Sequence, residues 1–286
     1  TINGLEGAFN WLFLLLLSAS SIFLLPRQFH TSIIENRKEK HIKTAIWLFP
    51  LYLLLINVFV APIAWGGRVL FEGMPINTEF LSILIPQKMG NTIVATMVFF
   101  GGLSASISMI IISSIALSVM LSNNIIIPYG WLDRFAIKSD SANSKSIVNI
   151  RKFSIFLLII AGFMFYKYWI SSSTLFSVGL VSFVLISQLA PAFFGALFWK
   201  RGNYYGAVAG IVAGSIFCYV NLILPEYNPN ILNSFGVTTF KIPYLSTIAN
   251  TFFWSMMINF GLYASISSSS NGNYRERNYA ELYTDI

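Results

Sequence analysis

The chain has 286 residues, of which 56% are apolar and 10% charged, and its mean hydropathy is +0.69. A soluble domain carries roughly 25% charged residues, so this is the composition of an integral membrane protein. The formal charge of +7 does not point to nucleic acid, because the basic residues stand in short segments between apolar runs and form neither a long patch nor a strip interleaved with stacking aromatics.

A bilayer-spanning helix needs about twenty apolar residues. Seven runs reach that length, near 9–26, 44–66, 92–121, 153–170, 175–199, 205–224 and 244–265. The first ends in Pro26-Arg27-Gln28-Phe29-His30 without a small-residue cleavage pattern, so it reads as a span and not as a signal peptide. The chain opens at Thr1 and reads as a piece of a longer protein. Ser18-Ala19-Ser20-Ser21 and Leu25-Pro26 suggest an unwound point in that span, whose freed backbone groups would meet a solute. Ser20 and Ser21 are therefore candidate substrate-pathway residues, with close helix packing through small residues as the alternative.

Pro50 and Pro62 in the second span each free a carbonyl one turn earlier and so mark a kink or a potential ligand. The stretch from Asn77 to Ile85 is too short to cross and is expected along the interface. The third span carries no charge between Asn91 and Ser122 yet holds seven serines. At 100° per residue Ser104, Ser108, Ser118 and Ser122 fall within an arc of about 80°, Ser114 lies beside it, and Ser106 and Ser113 point away. Such a polar stripe either packs on another helix or faces a hydrated path. In the fifth span Gln188 precedes Pro191, and an amide at that depth must be hydrogen-bonded, by a neighbouring helix or by cargo. Gly206, Gly210 and Gly214 in the sixth form a doubled GxxxG face that predicts tight helix contact. Cys218 is the only cysteine, so no disulfide within the chain and no cysteine-built metal cluster is possible. Beyond Ala264 a serine run leads through Asn271-Gly272-Asn273 into a charged, helix-prone stretch, which divides the chain into a membrane domain, 1–265, and a linker or tail, 266–286.

Alternate connections hold Arg27, Arg37, Lys38, Lys40 and Lys43, then Arg134, Lys138, Lys145, Arg151 and Lys152, then Lys200 and Arg201, and finally Arg275 and Arg277. The opposite side holds only Arg68, Lys88, Lys167 and Lys241. The positive-inside rule then puts the N-terminus outside and the C-terminus in the cytoplasm of a multi-pass protein of the inner (plasma) membrane. An enzyme reading finds little: His30 and His41 share the first cytoplasmic connection, where a solvated or interfacial role is expected, and neither has a nucleophile nearby or metal-ligand spacing.

Several segments taken together resemble the sodium/solute symporter superfamily. They are Phe23-Leu-Leu-Pro-Arg-Gln-Phe-His30, Leu48-Phe-Pro-Leu-Tyr-Leu-Leu-Leu-Ile-Asn57, Gly101-Gly-Leu-Ser-Ala-Ser-Ile-Ser108 running on to Asn124, and Gln188-Leu-Ala-Pro-Ala-Phe-Phe-Gly-Ala-Leu-Phe-Trp-Lys-Arg-Gly202. More narrowly, they resemble the transporter-like membrane domain found fused to sensor histidine kinases. The resemblance implies an all-α, LeuT-like inverted-repeat core, of which this chain would hold the second repeat and two peripheral helices, the first repeat lying elsewhere. It implies no cofactor, a sodium ion as coupling ion, a small solute as cargo, and a kinase domain or response regulator as possible cytoplasmic partner. The family's sodium ligands are neighbouring hydroxyls, which fall on Ser104 and on Ala105, a residue without a side-chain oxygen; Ser108, one turn along, is the substitute.

Topology is open to direct measurement. Alkaline phosphatase fused after Glu72 is expected to be active, as an exported reporter, and silent when fused after Lys145; the opposite pattern reverses the orientation.

Overall fold

In the computed structural model the described residues are 4–74, 77–128, 140–170, 174–227, 242 and 245–269. The tail beyond Ser269 and the basic residues Arg134, Lys138, Lys241, Arg275 and Arg277 lie outside them. Every regular element among the described residues is helical. That is how a chain in hydrocarbon satisfies its backbone without water.

The long helices are α1 (Gly4–Leu24), α2 (Glu39–Leu70), α3 (Leu81–Lys88), α4 (Thr92–Leu121), α5 (Asp140–Phe165), α6 (Leu175–Ser187), α7 (Ala190–Phe198), α8 (Tyr204–Cys218) and α9 (Thr247–Ser269). Among the described residues, six stretches are long and apolar enough to cross a membrane: 7–24, 39–70, 92–126, 147–168, 175–198 and 204–223. The seventh expected span does form a helix, α9, of 23 residues, but it falls short of that apolarity. Asn250, Thr251, Ser255, Asn259 and a serine-rich end dilute it.

One sequence expectation is corrected. The Ser18–Ser21 region is not unwound, because α1 runs through it and breaks only at Leu25, where Pro26 starts a separate one-turn helix, Pro26–Phe29. Pro50 and Pro62 both lie inside α2, which continues through them. The short segment at 77–85 becomes a 3-10 turn, Thr78–Phe80, followed by the eight-residue α3.

The chain divides into two compact units, residues 26–171 and residues 1–25 with 172–286. In the first, α3 packs on both α2 and α4, and α4 packs on α5. Leu81 closes over Gly67, where any β-carbon would come within 2.9 Å of Leu81 Cδ1. The Lys88 ammonium donates to the Leu70 carbonyl at the C-terminus of α2 and lies 4.4 Å from the centre of the Phe71 ring, so one cation caps the helix end and covers an aromatic face.

In the second unit α1 packs on α6 and α9, and the most extensive contact is between α8 and α9. The apolar core joins Leu17 of α1, Val184 of α6, Cys218 of α8 and Phe252 of α9. The doubled GxxxG face works as expected. Gly206, Gly210 and Gly214 are buried against α9, where the side chains of Ser255, Asn259, Tyr263 and Ser267 recur every four residues and are all buried. Gly206 faces Tyr263 and Ser267, Gly210 faces Asn259, and Cys218 faces Ser255, so the two helices run antiparallel. A β-carbon at Gly210 would stand 2.8 Å from the Asn259 carbonyl, and one at Gly206 would stand 2.9 Å from the Tyr263 carbonyl. Both obstacles are backbone, which has little freedom to yield.

Gly210→Val is therefore expected to cost about 1–3 kcal/mol or to prevent folding. Gly162→Ala on α5, with nothing within 4 Å of the added carbon, is expected to be near neutral. Thermal unfolding of both variants in the same lipid nanodisc tests the contrast.

Candidate functional site

The expected span at 175–199 is broken between α6 and α7. Pro191 has no N–H to offer the Ser187 carbonyl, so the regular ladder cannot pass through. Instead Gln188 N–H donates to Leu185 O at 3.2 Å and Leu189 N–H to Ile186 O at 3.0 Å, a tighter turn, before the ladder resumes with Phe193 N–H on Leu189 O at 2.9 Å. The break leaves backbone carbonyls in need of donors in the protein interior.

Gln188 is 0% exposed, and α9 supplies what the break removes. Asn259 Nδ2 donates to the Gln188 carbonyl at 2.7 Å and to Gln188 Oε1 at 3.1 Å. Gln188 Nε2 donates to the Val184 carbonyl at 3.1 Å and to Ser255 Oγ at 2.9 Å, and Ser255 donates in turn to the Phe252 carbonyl at 3.0 Å. Because two oxygens of Gln188 face Asn259, the Asn259 amide must present its NH2 to them. Its own Oδ1 is thereby turned onto Gly210 and finds no hydrogen-bond partner. A glycine Cα–H is the weak donor available there.

The α7–α8 turn is tied to the same helix. Asn203 caps α8 by accepting from Gly206 N–H at 2.7 Å, and it exchanges two 3.3 Å bonds with Ser267. The Tyr263 ring sits edge-on to Trp199 at 5.4 Å and covers Gly195 and Gly202.

The candidate residues on α1 are committed. Ser20 donates to the Leu17 carbonyl of its own helix at 2.9 Å. Ser21, fully buried, lies 2.6 Å from the Leu17 carbonyl and 3.1 Å from the Phe183 carbonyl on α6, sharing one proton between them. Ser21 and Gln188 thus belong to one compact unit, both against α6. Ser104 and Ser108 belong to the other unit and are in a different condition. On α4, Ser114, Ser118 and Ser122 are buried and donate to carbonyls of their own turn at 2.7, 2.8 and 2.6 Å, and Ser106 donates to Gly102 at 2.9 Å. Ser104 and Ser108 are exposed and make no hydrogen bond among the described residues, and Gly101 and Gly102 beside them have nothing within 4 Å of an added β-carbon. The covered part of the stripe runs from Ser114 to Ser122, and the open part is the turn from Ser104 to Ser108.

Of the solvated or interfacial roles expected for His30, the solvated one does not fit. It is buried, with Nδ1 3.3 Å from Glu35 Oε1 across a π turn, whereas His41 is exposed. Asn259, Ser255, Asn203 and Ser267 were not singled out from sequence. The signal that finds the three on α9 is the four-residue period Ser255, Asn259, Tyr263, Ser267, which matches the period of the glycines opposite; Asn203 stands just ahead of α8 as its cap.

Gln188→Leu removes the side-chain bonds to Asn259 and Ser255, leaving the backbone carbonyl to Asn259, and is expected to cost about 1–3 kcal/mol of stability. Ser20→Ala, which removes one bond within a helix, is expected to stay within about 0.5 kcal/mol of the parent. Thermal denaturation of the purified chain in nanodiscs checks both. Comparison of the chain with protein-family models, with curated proteins and with solved structures finds no match to any of them.

Proposed function

We propose that the chain is the membrane portion of a sodium/solute symporter-type carrier, a LeuT-like domain that moves a small solute by alternating access with sodium as the coupling ion. In this reading α9, at 23 residues, is the seventh span, which puts the N-terminus outside and the C-terminus in the cytoplasm of the inner (plasma) membrane. The observation that carries the reading is the pair of uncommitted hydroxyls at Ser104 and Ser108, on a helix with no charged residue. A serine in a helix ordinarily spends its proton on the carbonyl one turn back. Two that do not, on one face and one turn apart, are free to point lone pairs at a cation. Ala105 brings no oxygen, so the remaining ligands in this reading come from backbone carbonyls and from a helix opposite. The absence of a carboxylate suits a coupling ion that must also leave, because neutral oxygens hold a cation less tightly than charged ones.

Ser20, Ser21 and Gln188 line the solute pathway in this reading. Ser21 and Gln188 take part by exchanging the bonds that now occupy them. The second reading, a solute-sensing domain that signals to a cytoplasmic histidine kinase or response regulator, is favoured by the composition after Ala264: a serine run, Asn271-Gly272-Asn273, then the charged stretch from Tyr274 to Tyr283. That is how a linker into a further helical element is composed.

In the intact protein expressed in cells, Ser104→Ala is expected to raise the sodium concentration for half-maximal uptake by about tenfold, the worth of one lost oxygen contact to a charge. Sodium-dependent uptake that does not change removes Ser104 from the site.

A further inference from the structure

The broken span divides its unit into two groups of helices. On one side, α6 packs on α1, joined by the Ser21 hydroxyl on the Phe183 carbonyl. On the other, α8 and α9 are locked by the glycine face, with α7 and the Trp199–Asn203 turn held to α9 through Tyr263 and Ser267. The apolar core lies in the seam, Leu17 and Val184 from the first group meeting Cys218 and Phe252 from the second. The chain crosses from α6 to α7 only through Gln188–Leu189, two residues without regular helical bonding. Two-residue interruptions of this kind are where hinged helices bend.

We propose that Gln188–Leu189 is a hinge and that the Asn259 side chain is its latch, holding the α1–α6 pair against α8 and α9. The latch is unusual in being made by only one end of an amide. Asn259 gives both of its protons to Gln188, one to the backbone carbonyl that the break exposes and one to the side chain, while its Oδ1, on a residue 1% exposed, has no partner. Opening therefore breaks the two bonds from Asn259 to Gln188 and the one that Gln188 gives Ser255, together with the apolar contacts of the seam. Few other described ties cross the seam: the Asn10 side chain accepting from Ser246 N–H at 3.0 Å, and the Phe13–Phe253 ring pair at 5.5 Å. Asn259 is a positioning residue, acting through Gln188. The proposal does not depend on transport or on sodium, and it is tested without either.

The chain carries its own reporter. Cys218 is its single cysteine, is 1% exposed, and lies in the seam itself. The experiment is the rate at which a small membrane-permeant maleimide modifies Cys218 in the purified chain in nanodiscs, with no solute present, followed by mass spectrometry. Asn259→Leu keeps the branched shape and removes the amide; it is expected to label about tenfold faster or more, as losing two buried bonds implies. Ser267→Ala, two turns along the same face of α9 and tied only to Asn203, is expected to label at the parental rate. Should Asn259→Leu fail to fold, Asn259→Ser, whose hydroxyl is too short to reach the Gln188 carbonyl, carries the same expectation. Parental labelling in the folded Asn259 variant overturns the latch. Equal acceleration by Ser267→Ala overturns it as well, because the helix pair as a whole would then have loosened.

Discussion

In hydrocarbon a polar group has only the protein to bond to, and the unit built on α1, α6, α7, α8 and α9 is organised around meeting that demand. Breaking the span at Pro191 exposes a carbonyl, Asn259 answers it, and Asn259 can stand close enough only because α8 offers glycine where any other residue would place a carbon. The three glycines are thus not a generic adhesive. They set the distance at which a polar stripe on α9 can be hidden and at which its amide can reach past α8 to Gln188. If that approach widened, the Gln188 carbonyl, its side chain and the Ser255 hydroxyl would be stranded together.

The other unit handles the same demand differently. Its α2 is almost uncovered along its length, which an apolar helix tolerates. Its serine-bearing α4 is buried at Ala95 near its start and then from Ser114 on, where Ser114, Ser118 and the following Ser122 turn their protons inward. Hydroxyls that bond their own helix need nothing from a neighbour, so the buried part of the stripe is satisfied locally. The turn from Ser104 to Ser108 is the part that is not, and it is the part of the stripe left open.

Much of this was legible in the sequence, for reasons that can be traced to particular residues. Apolar length located the helices, and the third was bounded correctly at Thr92 and Leu121 because Asn91 caps it and no proline or charge blurs its ends. The break at Gln188 was readable from Pro191, and the close contact on α8 from its glycines. What misled was the assumption that serines loosen a helix: in α1 they bond back to carbonyls already present, and the ladder survives. Pro50 and Pro62 stand inside α2 without ending it, since a helix in lipid can carry a proline without breaking. The α9 stripe went unread because a hydropathy scan averages over a helix and cannot see that its polar residues share one face. Only the match between two four-residue periods, on successive long helices, reveals the pairing.

That pairing also decides what α9 shows to its surroundings. Alone, the helix would expose Asn259 and the hydroxyls of Ser255, Tyr263 and Ser267, which are all buried on α8. Beside α8 its middle exposes Met257, Phe260 and Leu262, a surface that lipid accepts. The spacing of three glycines, read at first as a packing motif, is then also what sets the polarity of the face that the pair turns outward.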